Sequence, residues 1–279
     1  ALDYIKIDIN GLLTDTHEDK GVSWRLGCLN DSMRNLQGGD FGIIAGRPDK
    51  GKTTFIASEV SHMASQLPAH RNVVWLNNEG KGERIYMRLI QAALNAQMSE
   101  IRAMRDAGVD VGQKYAEIVG DIHRIRIVDI HGLDTYAVEN ILKQNSAGIV
   151  VYDMIDKIRG FGDAARTDLA LESMYDWARE LGVKHDMIGL ATSQISNEGD
   201  GMQFPTLGML KDSKTGKQGA CDFQLMIGAS NDPNLNGLRY LGLPKNKLRR
   251  EGTPGDPRAT VNFKPQVARF DDIPITMED

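Results

Sequence analysis

Short apolar runs at 41–45, 73–77, 125–129, 149–153 and 187–193 alternate with stretches whose apolar residues recur at helical spacing. Runs of that length, bounded by turn residues, read as buried strands. The intervening stretches predict helices at about 53–67, 82–96, 99–118, 134–145 and 167–182. Strands alternating with helices predict an α/β fold, a mostly parallel central sheet flanked by helices. Four later runs, 223–228, 238–243, 259–263 and 266–270, are separated by turn signals and predict a late antiparallel extension. Between the two groups, 195–219 is rich in Gly, Asp, Asn, Ser and Lys with little periodicity. It is too long for a casual connector and reads as a functional or mobile loop.

The start of the chain has a different pattern. Ile5, Ile7 and Ile9 alternate, and a polar stretch follows at 14–20. Residues 1–20 read as an arm or linker, the alternative being an ordinary first element of the domain that fills 21–279. There is no internal repeat and no low-complexity tract.

One segment carries most of the chemical information. Gly46, Arg47, Pro48, Asp49, Lys50, Gly51, Lys52 and Thr53 fit G-x-x-x-x-G-K-[ST], with a predicted strand before them and a helix, opening at Thr54, after them. That context suits a phosphate-binding loop: inward backbone N–H groups and a helix N-terminus favour a di- or triphosphate. Lys52 is expected to reach the β- and γ-phosphates, and the Thr53 hydroxyl to ligate Mg²⁺. The bound molecule would be ATP or another nucleoside triphosphate. Asp49 is expected to point to solvent, because a carboxylate beside a triphosphate is unfavourable.

Hydrolysis also needs a metal partner and a base. Asp153 ends the 149–153 strand and is the candidate to hold a Mg²⁺-bound water, with a helix cap as the plainer alternative. Glu79, just past the 73–77 strand, would project into the crevice where open parallel sheets bind ligands. It is the candidate base, against the alternative of a surface ion pair. Gln194, just past 187–193, is placed to sense the γ-phosphate.

Composition narrows the setting. The 279 residues are 41% hydrophobic and 25% charged, ordinary for a globular protein. No apolar run approaches the roughly 18 residues that suggest a membrane span, and no signal peptide is evident. Cys28 and Cys221 are far apart, which argues against a zinc site and fits a reducing cytoplasm. Net charge is −5, yet residues 239–250 hold five basic side chains and no acidic one. Lys211, Lys214 and Lys217 form a looser basic group. Local clusters, more than net charge, govern nucleic-acid binding.

Taken together, these residues resemble the RecA-like hexameric replicative helicases of bacteria and phages, the DnaB-type family, over about residues 21–270. Gly21–Trp24 and Leu36–Asp40 look like that family's approach to its phosphate-loop strand. Asn78-Glu79-Gly80 with Arg84, Met87 and Arg88 resembles the block carrying the catalytic glutamate. Asp153 and Gln194 match its metal-site aspartate and its strand-end sensor. Leu210–Ser213 and Gly219–Asp222 resemble the segment after the central DNA-binding loop, although the family has arginine where Lys211 stands. Lys247-Leu248-Arg249, with Gly252 following, resembles a K-x-R that reaches the neighbouring subunit's nucleotide. The resemblance makes Arg249 an arginine finger and Lys247 its companion, with Lys245-Asn246-Lys247 and Arg250 as competing registers.

The resemblance implies a RecA-like ATPase domain over 21–279 that forms a hexameric ring and moves on single-stranded DNA. Lys211, Lys214 and Lys217 would contact the DNA backbone, with primase among the partners and the cytoplasm of a bacterium or infected host as the location. Two alternatives stand beside it: a RecA-like recombination ATPase that forms filaments, and a nucleotide-binding scaffold or loader.

Overall fold

In the computed structural model, which describes residues 8–10, 20–161, 167–210 and 219–274, the strands join into one sheet. They are β1 (Phe41–Gly46), β2 (Asn72–Asn77), β3 (Ile125–Asp129), β4 (Ala147–Asp153), β5 (Ile188–Gln194), β6 (Phe223–Gly228), β7 (Leu238–Asn246), β8 (Arg258–Lys264) and β9 (Arg269–Asp272). Their order is β3-β2-β4-β5-β1-β6-β7-β8-β9. The first six run parallel, and the last three are antiparallel. The antiparallel extension therefore starts at β7, one strand later than the sequence pattern suggests.

Helices cover both faces, so every residue of β1 and β4 is buried. This is why the runs read as continuously apolar instead of alternating. On one face α1 (Gly27–Ser32), α2 (Lys52–Met63), α3 (Glu83–Leu94) and α5 (Val111–Val119) close over Phe55, Trp75, Phe223 and Phe270. On the other, α6 (Thr135–Gln144) and α7 (Thr167–His185) close over Phe41, Tyr152 and Tyr175. One predicted helix is in fact two. The 99–118 stretch divides into α4 (Met98–Asp106) and α5. Gly108 takes φ 83° between them, and Asp110 restarts the helix by accepting from the Gln113 N–H. The run at 266–270 also opens differently, with a 3-10 turn at Pro265–Val267 before β9.

Residues 21–40 are part of this domain. Val22 and Leu36 exchange backbone hydrogen bonds of 2.8 and 2.9 Å. Trp24 is buried edge-on to Phe223, with ring centroids 5.7 Å apart. Of the predicted arm, residues 1–7 and 11–19 lie outside the described residues, and Ile9 is exposed.

The same lead-in segment traps a carboxyl. The Arg25 N–H donates to Glu59 Oε2 at 2.6 Å, and Glu59, on α2, is fully buried. Burial pushes its pKa up to about 8 from an ordinary 4.5. A raised folded-state value means the folded chain holds a proton that the unfolded chain has released. Stability therefore falls as pH rises from about 4.5 to about 8. Glu59→Gln keeps the acceptor and removes the ionisation, so it should stabilise the protein by about 1 kcal/mol or more at pH 8. Thermal melts across pH check this: a stability gain equally large at pH 4 would mean that ionisation is not its source.

Candidate functional site

β1 ends at the centre of the sheet, flanked by β5 and β6. The chain turns there through 47–51 into α2, whose N-cap, Gly51, has φ 103°. A Cβ at Gly51 would also come within 2.9 Å of the Phe263 ring, so both conformation and space require glycine. Asp49, at φ 60°, is exposed, but it also borders the cavity described next instead of standing clear of it.

A cavity of about 400 Å³ opens over this turn, lined by Pro48, Asp49, Gly51, Lys52, Thr53, Thr54, Glu79, Arg88, Gln194, Phe263 and Pro265. Its size suits a small-molecule ligand. Lys52 Nζ donates to the Gly46 and Arg47 carbonyls at 3.0 and 3.2 Å. Burial pulls the Lys52 pKa down, while the charges of Glu79, Asp153 and Asp49 pull it back up. A partly desolvated ammonium at a helix N-terminus is a strong binder of phosphate.

The two candidate carboxylates differ in setting. Asp153 is buried at the end of β4 and accepts from the Thr192 hydroxyl at 3.0 Å. Burial raises its pKa, the Thr192 bond opposes the rise, and the Glu79 charge adds to it. Glu79 is exposed on the cavity wall, 3.9 Å from Lys157 Nζ. Two buried asparagines shape its turn. Asn77 Nδ2 donates to Asp129 and to the Gly80 carbonyl, each at 2.6 Å, and Asn78 Oδ1 accepts from the Met154 N–H at 2.8 Å. Gln194 pairs in register with Gly46, which sets it beside the loop.

Mg²⁺ fits this donor set. A hydroxyl at Thr53 and a carboxylate at Asp153 are hard oxygen donors, and Mg²⁺ characteristically takes few protein ligands beside phosphate and water. No cluster of three or more His, Cys, Asp or Glu side chains able to hold a metal occurs among the described residues.

Not every expected residue meets the cavity. Gly46, Arg47, Lys50 and the metal-site candidate Asp153 are not among its lining residues. The Arg47 side chain turns away, donating to the Ile195 carbonyl at 3.1 Å and lying 3.9 Å from Asp200. Lys247 and Arg249 stand at the opposite edge of the sheet. Asn246 is in register with Phe223, and Phe223 with Gly42 at the start of β1. The Lys247 N–H donates to the Asp222 carbonyl at 2.8 Å, and Arg249 bridges Met33. The length of β1 thus separates them from their own phosphate loop, about 13 Å from Gly42 to Gly46 alone. Both are exposed, whereas Arg250 Nε donates to the Asn30 carbonyl at 2.7 Å. Gly252 occupies the expected turn with φ 79°. Lys211, Lys214 and Lys217 lie outside the described residues. Phe204, the one aromatic in 195–219, packs on Tyr240 with centroids 5.6 Å apart.

Sequence reasoning missed three contributors. Phe263 and Pro265 reach the cavity from the β8 end, and Arg88 reaches it from α3. The first two come from the antiparallel extension, far from the motif in sequence; Arg88 enters the sequence reading only as part of the glutamate block.

Comparison with known proteins adds a family and a fold. A family described as an AAA domain matches residues 12–200. The replicative DNA helicase DnaB of Haemophilus influenzae is 27% identical over 286 residues, covering 96% of this chain and 58% of that protein. The chain thus spans well under two thirds of that curated relative's length. Among solved structures, one described as an ATPase domain matches with a TM-score of 0.77 at 17% identity, covering 95% of this chain and 96% of that one. A DnaB-like replicative helicase, described with its interactions with primase, gives 0.75 at 17% identity over 95% of this chain and 66% of that one. The RadB recombinase gives 0.54 at 16%, covering 86% and 94%. Likenesses at these identities establish the shared RecA-like fold.

Proposed function

We propose that this chain, which belongs to the AAA domain family, is the ATP-driven motor domain of a replicative DNA helicase. In this reading it assembles into a hexameric ring on single-stranded DNA and hydrolyses ATP between subunits. The observation that carries it is the division of labour across the sheet. Lys52, Thr53, Glu79 and Gln194 surround one cavity at the carboxyl edge, and Lys247 and Arg249 are exposed at the amino edge. A protein that completes its site with a neighbour's cation needs its own cation out of its own reach.

In this arrangement Lys52 and the loop N–H groups bind the phosphates, and Thr53 and Asp153 would hold Mg²⁺. The ion would offset charge on the phosphate oxygens. Glu79 accepts a proton from the attacking water, Gln194 contacts the γ-phosphate, and Arg249 of the next subunit stabilises charge on the transferring group. Lys211, Lys214 and Lys217 are proposed to track the DNA backbone; the packed Phe204 ring favours phosphate contacts over base stacking. A primase partner and a cytoplasmic location belong to the same proposal.

The filament-forming recombinase reading is less well supported, since the recombinase structure matches more loosely than the ATPase-domain and DnaB-like structures do. The decisive experiment is electron microscopy with Mg²⁺, a non-hydrolysable ATP analogue and single-stranded DNA, paired with an ATP turnover assay. Closed six-membered rings with DNA-stimulated turnover are expected; helical filaments would favour the recombinase, and nucleotide binding without turnover the scaffold.

Glu79→Gln separates binding from chemistry. The amide retains shape and polarity but is not a base, so ATP should still bind while hydrolysis falls on the order of 10²-fold. Unchanged turnover would move the base role to another carboxylate.

A further inference from the structure

The five basic residues of 239–250 do not form one patch. Lys245, Lys247, Arg249 and Arg250 cluster around the far end of β7, whereas Arg239 lies at its near end. Tyr240 pairs with Gly228, and Gly46 with Ile227, so Arg239 is level with the start of the phosphate loop. The residue is buried. Nε donates to the Lys50 carbonyl at 2.9 Å, and Nη1 donates to the Asn236 and Leu238 carbonyls at 3.0 and 2.6 Å. The plane also lies over the Phe263 ring, 4.0 Å from its centroid.

A guanidinium on a buried residue, served by three carbonyls and a ring face, is costly to assemble unless it fixes something. Of the two groups that it touches beyond its own strand and turn, Phe263 lines the cavity and Lys50 adjoins Gly51, which does. Lys50 immediately precedes Gly51, whose left-handed conformation starts α2, and Phe263 forms part of the cavity wall. We propose that Arg239 is a positioning residue for nucleotide binding: it locks the Lys50–Gly51 peptide and the Phe263 ring in the arrangement that receives the nucleotide. This rests on the nucleotide-binding reading above. Arg239 touches no reacting atom, so it supports ground state and transition state alike and should act on affinity more than on turnover.

Lysine at this position retains a charge and one donor to Lys50 but not the planar stack, and methionine retains only volume and apolar contact. ATP turnover at varied ATP concentration, and binding of a fluorescent ADP analogue, should be measured for wild type, Arg239→Lys and Arg239→Met. For Arg239→Met we expect KM and the ADP-analogue Kd to rise about 10-fold or more with kcat within about 3-fold, and Arg239→Lys should fall between. Circular dichroism checks folding; if the methionine variant does not fold, the lysine variant must still show the rise in KM at constant kcat. Unchanged KM and Kd in a folded variant, or a fall in kcat at constant KM, would overturn the assignment. Failure of the wild-type chain to bind nucleotide would instead overturn the functional reading on which it stands.

Discussion

Arg249→Ala is expected to lower ATP hydrolysis about 10³-fold while each subunit still binds nucleotide almost normally. The reason is spatial. Arg249 is exposed beside Met33 at the amino edge of the sheet, and the cavity lies at the carboxyl edge. In the proposed ring, removing it would leave the subunit's own site unchanged and strip transition-state charge stabilisation from its neighbour's. Mixing two inactive proteins, Arg249→Ala and Lys52→Ala, tests the trans arrangement. Some mixed interfaces combine an intact loop with an intact finger, and partial recovery of hydrolysis is the expected result. Full activity in Arg249→Ala alone would shift the role to Lys247 or Arg250. Of these, Lys247 is the exposed one, since Arg250 is engaged with Asn30.

Lys52→Ala should abolish turnover, a loss on the order of 10³-fold or more, with the fold intact. Lys52 Nζ contacts two loop carbonyls, Gly46 and Arg47, at a cavity that water can enter. Those acceptors can hydrate when the ammonium is gone, so the structural cost is small. The functional cost would be large because, in the proposed role, the partly desolvated Lys52 ammonium supplies counter-charge to the β- and γ-phosphates. Hydrolysis at near wild-type rate in a folded Lys52→Ala protein would sink the active-site assignment.

Much of this was legible along the chain because its physical cause is local. A strand buried on both faces must be apolar throughout, which is how 41–45 and 149–153 declared themselves. The Gly51-Lys52-Thr53 motif announced its turn because few residues other than glycine take a left-handed N-cap beneath an aromatic ring. Glu79 and Gln194, which line the cavity, were placed by one rule, that parallel strands deliver their carboxyl ends to a common crevice; Asp153 ends its strand at the same edge but is buried outside the lining. The division of α4 from α5 was signalled by Gly108 and Asp110 but masked by helical spacing on both sides.

What the sequence determined by itself was therefore the order of the main elements, the strand-turn-helix at 41–63 and the strand-end positions of the candidate carboxylates, all set by local pattern and strand direction. Only the tertiary structure decided how distant segments share space. The parallel pairing of β6 depends on which edge of β1 was free. The burial of Glu59 depends on a lead-in segment more than 30 residues away. Arg239 and Arg249, members of one basic run, lie toward opposite ends of β7: one is buried against the 47–51 loop, the other exposed beside Met33 at the far edge of the sheet. Charge is written in the sequence, but its partner and its solvent exposure are set by the packing of residues far apart in the chain.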